Sequence, residues 1–356
     1  MSSNKFFGFT NRVIMLFVGG LLVLSYLSFF LNPQRAWVMV FFGLMFVPLV
    51  CVNLGLLVWA IKRRSRSFLI PLVVILPALF FINKQYQFPS SKSVPEDTQK
   101  IKILSYNVGR FSASDSEVRS RDACVDSIFL FLAKENPDII CLQEFWTPNI
   151  NNVSDYLSRK LKRYKHEYFV YRVRNTGYGN VILSKYPAKN KGIIKFDQSK
   201  NLAIYSDFEI KGEKIRVYNC HLQSYAISLP AFVKNIVNTD DEYFKKTETK
   251  IRASIQKRSD QVKQILEHIE KSPLKTFVCG DFNDTPMSYT YYKLRQNRED
   301  TFVQAGSGFS ATYSKFWPML RIDYILIPEE YKTLTYKSKK VSYSDHYPIM
   351  SEVKID

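Results

Sequence analysis

The sequence predicts an α/β protein in two parts. An apolar, membrane-spanning N-terminal region precedes a soluble domain in which mixed β-sheets pack face to face with helices outside. Three observations predict it. The first 83 residues contain no Asp or Glu, although the chain of 356 residues has 32. Beyond residue 100, nine strand-like apolar runs stand against three segments of helical period. Two of those strands are joined directly through Lys211, Gly212 and Glu213, a hairpin signal.

The N-terminal region, residues 1–83, holds three apolar stretches, from about Asn11 to Leu31, from Ala36 to Ala60 and from Phe68 to Asn83. A helix needs about 20 apolar residues to cross a bilayer. The first two stretches meet that length. The third is shorter and contains Pro71 and Pro77, which membrane helices tolerate. Against a signal peptide, no small-residue cleavage site follows the first stretch and a second begins almost at once. The loop carrying Lys62, Arg63, Arg64 and Arg66 outweighs the one carrying only Arg35, which places it, with Lys5 and Arg12, in the cytoplasm. Three crossings then put the remainder outside the cytoplasm, in the periplasm of a bacterium. A third stretch that does not cross would leave it inside.

Residues 84–100 are polar, contain two prolines and read as a linker. Residues 101–356 form a soluble domain large enough for a substantial core. All the acidic residues lie beyond residue 83, against 43 of the 50 Lys and Arg, so this part carries about +11. Such a balance suits an anionic partner such as nucleic acid, nucleotide or phospholipid head groups, and serves solubility equally well.

The strand-like runs are 102–107, 138–144, 167–172, 179–184, 202–210, 214–222, 275–282, 321–328 and 348–355. Helical period appears over 118–136, 153–164 and 251–271. The five cysteines show no metal-ligand spacing. Cys141, Cys220 and Cys279 lie in apolar runs and read as buried, free thiols.

Several strands stop at a polar residue. "ILSYN" ends in Asn107, "IICLQE" in Glu144, "VYNCH" in His221 and "VCGDFN" in Asp281 and Asn283; "RID" opens a strand with Asp323, and "SDHYP" sets Asp345 and His346 before the last one. Singly, each would be a solvated loop residue. Two of only four histidines fall in the set, and strand ends at one sheet edge converge in space.

In this order the motifs resemble the endonuclease/exonuclease/phosphatase superfamily, over residues 101–356. The resemblance implies a four-layer α/β/β/α sandwich of two mixed β-sheets, preceded by the transmembrane helical region. It also implies hydrolysis of a phosphate ester with a divalent metal, Mg²⁺ or Mn²⁺. Glu144 is the foremost carboxylate ligand for such a cation, and the similarity adds Asp345 and Asn107. His346 and Asp281 would orient or deprotonate the attacking water. Asp323 would accept a ring N–H from His346. Asn283 would donate to phosphate or hold Asp281, and His221 would donate to the scissile phosphate or the leaving oxygen. Asp284 reads as the cap of the following turn.

The expected activity is a metal-dependent phosphodiesterase acting on a membrane-proximal phospholipid or on nucleic acid. Long segments at 224–249 and 309–320, the latter with Phe316, Trp317, Met319 and Leu320, suit lipid contact or the border of a nucleic-acid groove. Phosphomonoesters are a third substrate class. A catalytically silent module that docks a phosphorylated ligand at the membrane is the alternative, but it would be expected to lose Glu144, Asp281 or His346. No protein partner is implied.

Overall fold

The computed structural model describes residues 2–89, 99–112, 120–225, 241–316 and 320–355. Two compact units divide it, Met1–Gln85 with Thr285–Lys293, and Tyr86–Asp284 with Leu294–Asp356.

The first unit contains α1 (Ser2–Phe30), α2 (Met39–Leu44), α3 (Phe46–Lys62), α4 (Leu69–Ile75) and α5 (Ala78–Ile82). Within the first, Phe9–Phe30 is long and apolar enough to cross a membrane; Phe46–Lys62 and Arg66–Ile82 are shorter apolar helices. The second expected stretch, 36–60, is therefore two helices. Pro48 has no N–H to donate backwards and fits only the first turn of α3, which forces a new start there. Pro77 divides the third stretch in the same way, between α4 and α5. Burial in this unit is inverted. Ser25, Ser28 and Asn53 are buried, while Leu16, Phe17, Val73, Leu79 and Phe80 are each more than half exposed. The interior is aromatic, with Tyr26 and Phe81 stacked at 5.5 Å, and Tyr26 Oη donates to the Val74 carbonyl at 2.8 Å.

The second unit holds fourteen strands among the described residues: β1 (Tyr86–Gln87), β2 (Lys100–Asn107), β3 (Ile139–Thr147), β4 (Lys165–Val173), β5 (Thr176–Ser184), β6 (Asn190–Lys195), β7 (Leu202–Ile210), β8 (Glu213–His221), β9 (Lys275–Asp281), β10 (Arg298–Asp300), β11 (Gly308–Phe309), β12 (Asp323–Pro328), β13 (Lys332–Ser338) and β14 (Ile349–Lys354). Its long helices are α6 (Arg121–Glu135), α7 (Val153–Lys160) and α8 (Asp241–Glu270). One six-stranded sheet runs β10-β12-β9-β8-β7-β6 and the other β13-β14-β2-β3-β5-β4. Both are mixed, because β2 pairs parallel with β3 and β8 parallel with β9, while the other pairings are antiparallel.

Alternation in the strands explains the layers. Ile103 and Cys141 face Ile204, Val217, Cys279 and Ile325 in the core between the sheets. Leu104, Tyr106, Ile140 and Leu142, one residue out of phase, meet Ile128 and Leu132 of α6 and Leu157 of α7 on the outer face. On the other sheet, Tyr218 reaches His268 of α8, with Oη 2.8 Å from Nδ1. This is the expected α/β/β/α sandwich.

Details differ from expectation. The helix expected at 251–271 begins ten residues earlier, at Asp241. β6 and β13 were not expected, since both are edge strands with half-exposed, lysine-containing sequences. The hairpin does close between β7 and β8 through Lys211 (φ 53°) and Gly212 (φ 88°), the paired positive angles that suit a tight turn to the strand twist. Cys124, Cys141, Cys220 and Cys279 are buried and free.

Candidate active site

The strand topology gathers the polar strand ends. In each sheet one parallel pair ends at the site: β2 and β3 with Asn107 and Gln143 in register, β8 and β9 with His221 and Asp281 in register. On the next strand, β12, Asp323 lies opposite Asp281. His221, Asp281 and Asp323 thus occupy one row across three neighbouring strands. Carboxyl ends of parallel strands are where α/β sheets leave room for a ligand.

Asp281 is buried and well held. Its Oδ1 accepts from the Asn283 backbone N–H at 2.8 Å, and its Oδ2 accepts from Asn107 Nδ2 at 2.9 Å and Asn283 Nδ2 at 3.1 Å. Asn283 Nδ2 also donates to the Leu222 carbonyl at 2.9 Å, so this amide is engaged in holding Asp281. Gly280 precedes it with φ 135°, and a Cβ there would lie 1.9 Å from the Cys220 carbonyl oxygen. Only glycine allows β9 to close on β8 at this point.

His346 Nδ1 lies 2.9 Å from Asp323 Oδ2. Burial opposes a charge on the ring, but the carboxylates of Asp323 and Asp281 outweigh it and raise the imidazole pKa to about 10. Burial raises the Asp281 carboxyl to about 6, with His346 and His221 pulling against it. Four atoms then stand around one gap. Glu144 Oε1 is 3.7 Å from His221 Nε2, His221 Nε2 is 4.0 Å from Asp281 Oδ2, and Asp281 Oδ2 is 3.8 Å from His346 Nε2. These separations exceed hydrogen-bond length.

Glu144 does not end its strand, as the sequence suggested. β3 continues to Thr147, with a bulge between Leu142 and Phe145 and Glu144 at φ 51°. The extra residue re-aims the carboxylate without ending the pairing. Beneath it, Gln143 Nε2 donates to Asn219 Oδ1 at 2.7 Å, from one sheet to the other. Asp345 stands on the opposite turn, its Oδ1 3.2 Å from where a Cβ on Gly109 would be. Asn107 Oδ1 accepts from the Gly109 N–H at 3.0 Å. Asp284, next in the chain after Asn283, packs against two other segments. Its carboxylate meets Arg258 Nε at 3.2 Å and accepts from Tyr225 Oη at 3.3 Å.

The profile of the Endonuclease/Exonuclease/phosphatase family matches residues 104–346. The chain belongs to this family. It is accordingly a phosphoric ester hydrolase. Residues 4–85 match a domain of unknown function, DUF8431. No curated protein matches the chain. Its fold is similar to that of an endonuclease/exonuclease/phosphatase from Beutenbergia cavernae, with TM-score 0.54 and 15% identity over 72% of each chain. A family protein from Leptotrichia buccalis aligns with TM-score 0.53 and 18% identity over 72% of this chain and all of that one. The human Nocturnin catalytic domain, solved with a sulfate anion, aligns with TM-score 0.50 and 17% identity over 74% of this chain and 99% of that one.

Of the eight expected residues, Asn107, His221, Asp281 and Asp323 terminate strands, Asn283 follows β9, Asp345 and His346 precede β14, and Glu144 lies in the bulge inside β3. Sequence reasoning passed over the residues around them. Arg110 Nε is 3.5 Å from Glu144 Oε2, and Lys315 Nζ is 3.5 Å from Asp345 Oδ2. Tyr313 lies edge-on to the His346 ring at 5.2 Å. Burial first, and then the Glu144 charge, keep the Tyr178 phenol protonated far above its usual range. Nothing local marks these four. The signal available for Gln143 and Asn219 was a side-chain amide inside an apolar run, where an unpaired polar group is costly. Trp317 and Met319, and positions 226–240 of the other long segment, lie outside the described residues.

Proposed function

We propose that this hydrolase is a membrane-anchored, divalent-metal-dependent phosphodiesterase, with Mg²⁺ or Mn²⁺ as the ion. The observation that carries the reading is the gap bounded by Glu144, His221, Asp281 and His346. Separations of 3.7, 4.0 and 3.8 Å are too long for direct hydrogen bonds. They suit oxygen atoms placed between the side chains at about 2.8 Å from each. A phosphoryl group and an attacking water are such oxygens.

Glu144, Asp345 and Asn107 fit a hard cation. They offer oxygen donors, and the two carboxylates are partly exposed, with contacts of 3.5 Å or more to Arg110, His221 and Lys315. Bound there, the cation would polarise the phosphoryl oxygens and offset developing charge. Asp281, Asp323 and His346 also bring ligand atoms within 4.8 Å of one another. We read these three as the acid–base group instead, because His346 Nδ1 is engaged by Asp323 and Asp281 by two amides. Asp323 fixes the His346 ring so that Nε2 faces the gap. Asp281 orients the water and takes its proton, and His346, kept protonated by Asp323 and Asp281, turns a donating Nε2–H to the gap. Asn283 holds Asp281 in place, and His221 donates to the phosphate or the leaving oxygen.

The inverted burial of the first unit supports insertion of residues 1–83 in a bilayer, with 84–100 as the linker. In hydrocarbon, apolar side chains face outwards and polar ones inwards. The loop from Lys62 to Arg66 supports a cytoplasmic N-terminus and an extracytoplasmic catalytic domain.

A substrate panel tests the reading: plasmid DNA, RNA, sphingomyelin, phosphoinositides and a chromogenic phosphodiester, each with Mg²⁺ and with chelator. Hydrolysis of a diester that chelator stops, and that Glu144→Ala nearly abolishes with the fold intact, is the expected result. Binding without turnover across the panel would favour the silent module, and cleavage of monoesters alone a phosphomonoesterase.

A further inference from the structure

We propose that Arg110, assisted by Lys315, is a specificity-determining residue that binds a second anionic group of the substrate beside the scissile phosphate. This rests on the phosphodiesterase reading above. Arg110 stands in the middle of a left-handed turn, with Gly109 at φ 51°, Arg110 at 57° and Phe111 at 56°. Single residues visit this region, mostly glycine or asparagine; two larger side chains in succession are rare.

Packing holds the turn there. The Phe111 N–H donates to the Val108 carbonyl at 2.8 Å, and the Ser112 N–H to the Gly109 carbonyl at 3.0 Å. Phe111 is buried, its ring 5.6 Å from Phe145 and 6.1 Å from Phe129. On the other side, a Cβ on Gly109 would come within 2.9 Å of Ser344 Oγ. Strain sustained by buried neighbours concentrates at functional sites. Arg174 (φ 57°) and Lys211 (φ 53°) take such angles singly; among the described residues only Arg110 and Phe111 are two non-glycine residues that do so in succession.

The turn places a guanidinium 3.5 Å from Glu144 Oε2 on a side chain that is still 64% exposed. Lys315 repeats the arrangement at Asp345, at 3.5 Å and 62% exposed. Exposed pairs at this distance contribute little to stability. Each cation is therefore free to exchange a carboxylate oxygen for a phosphate oxygen, and the arginine fork does so with two parallel bonds. The scissile phosphate fills the gap between Glu144, His221, Asp281 and His346, so the rim cations meet what lies next to it. They favour a diester flanked by another phosphate over one flanked by a quaternary ammonium.

The test measures binding apart from turnover, on the full chain in detergent with hydrolysis blocked by Asp281→Asn. The probes are a thymidine dinucleotide with and without a 5′-phosphate, and vesicles containing phosphatidylinositol 4-phosphate or phosphatidylinositol. The flanked member of at least one pair should bind roughly tenfold more tightly. Preference within the dinucleotide pair assigns a nucleic-acid source, and preference within the lipid pair a lipid source. Arg110→Gly should bring the ratio close to one while the melting temperature holds or rises, since glycine adopts φ 57° freely. Arg110→Lys should keep part of the preference. Equal binding within both pairs would overturn the proposal. So would an Arg110→Gly chain that loses both affinities alike and melts earlier, which marks a structural residue. Turnover is assayed separately with Asp281 intact. Absence of diester hydrolysis there defeats the phosphodiesterase reading and leaves the binding ratio as measured.

Discussion

Gln143 and Asn219 join the two sheets beneath the candidate active site. Gln143 Nε2 donates to Asn219 Oδ1 at 2.7 Å, and Asn219 Nδ2 donates to the carbonyls of Leu142 and Val181 at 2.8 Å each. Gln143 adjoins Glu144 on β3, and Asn219 is two residues before His221 on β8. The amide pair therefore sets the spacing of Glu144 and His221 across the sandwich. Both side chains are fully buried, so a lost partner leaves polar groups unsatisfied. Asn219→Ala should lower unfolding free energy by about 2–3 kcal/mol and Gln143→Ala by about 1–2 kcal/mol. The double variant should cost less than their sum. Denaturant unfolding of all three checks this, and strictly additive losses would show the pair to be uncoupled.

Gly280 carries a second prediction. Its φ of 135° and the 1.9 Å approach of a Cβ to the Cys220 carbonyl leave no room for alanine. Gly280→Ala must push β9 away from β8 and displace Asp281. Stability should fall by about 3 kcal/mol or more, and turnover by roughly a hundredfold even in chains that still fold. Melting and rate measurements on the purified variant decide it. Unchanged turnover would mean that the site tolerates movement of Asp281.

The third prediction concerns the pair His346 and Asp323. With Nδ1 and Oδ2 2.9 Å apart, the two should act as one unit and their effects should not add. His346→Ala should cost several orders of magnitude in turnover, since acid–base roles alone are worth about 10² to 10⁴. Asp323→Asn should cost less, because the ring remains while the carboxylate that orients it and helps to keep it protonated is lost. The double variant should be little worse than His346→Ala. Multiplicative losses, with a lower melting temperature for Asp323→Asn, would make Asp323 a structural residue at the start of β12.

Topology supplies the fourth. Alkaline phosphatase fused after residue 95 should be active in whole bacterial cells, and fused near Arg64 it should be inactive, because only an extracytoplasmic fusion folds with its disulfides. An inactive fusion after residue 95 would place the hydrolase domain in the cytoplasm. It would also mean that the stretch divided at Pro77 does not cross.

The sequence alone determined nine of the strands, the three long helices and the polar residues that close several of those strands. Alternation within strands such as Leu202–Ile210 and the helical period of α6 are properties of near neighbours in the chain, so a single pass reads them. The same holds for Asp281 and Asn283, whose apolar strand makes their polarity conspicuous. Apart from the β7–β8 hairpin, tertiary structure alone decided which strands adjoin, and so which polar ends meet. Asp281 and Asp323 are 42 positions apart in the chain and become register partners only when β9 and β12 pair. The bulge that turns Glu144 inwards depends on the pairing of β3 with β5. The left-handed turn at Arg110 depends on Phe111 finding Phe145 and Phe129. Pro71 and Pro77 were conspicuous in the third apolar stretch, yet Pro71 lies within α4 while Pro77 divides α4 from α5, because whether a proline bends or divides a helix depends on what packs around it. Long-range burial chooses among pairings that local propensity leaves equivalent, and the chemistry of this site lies in those pairings.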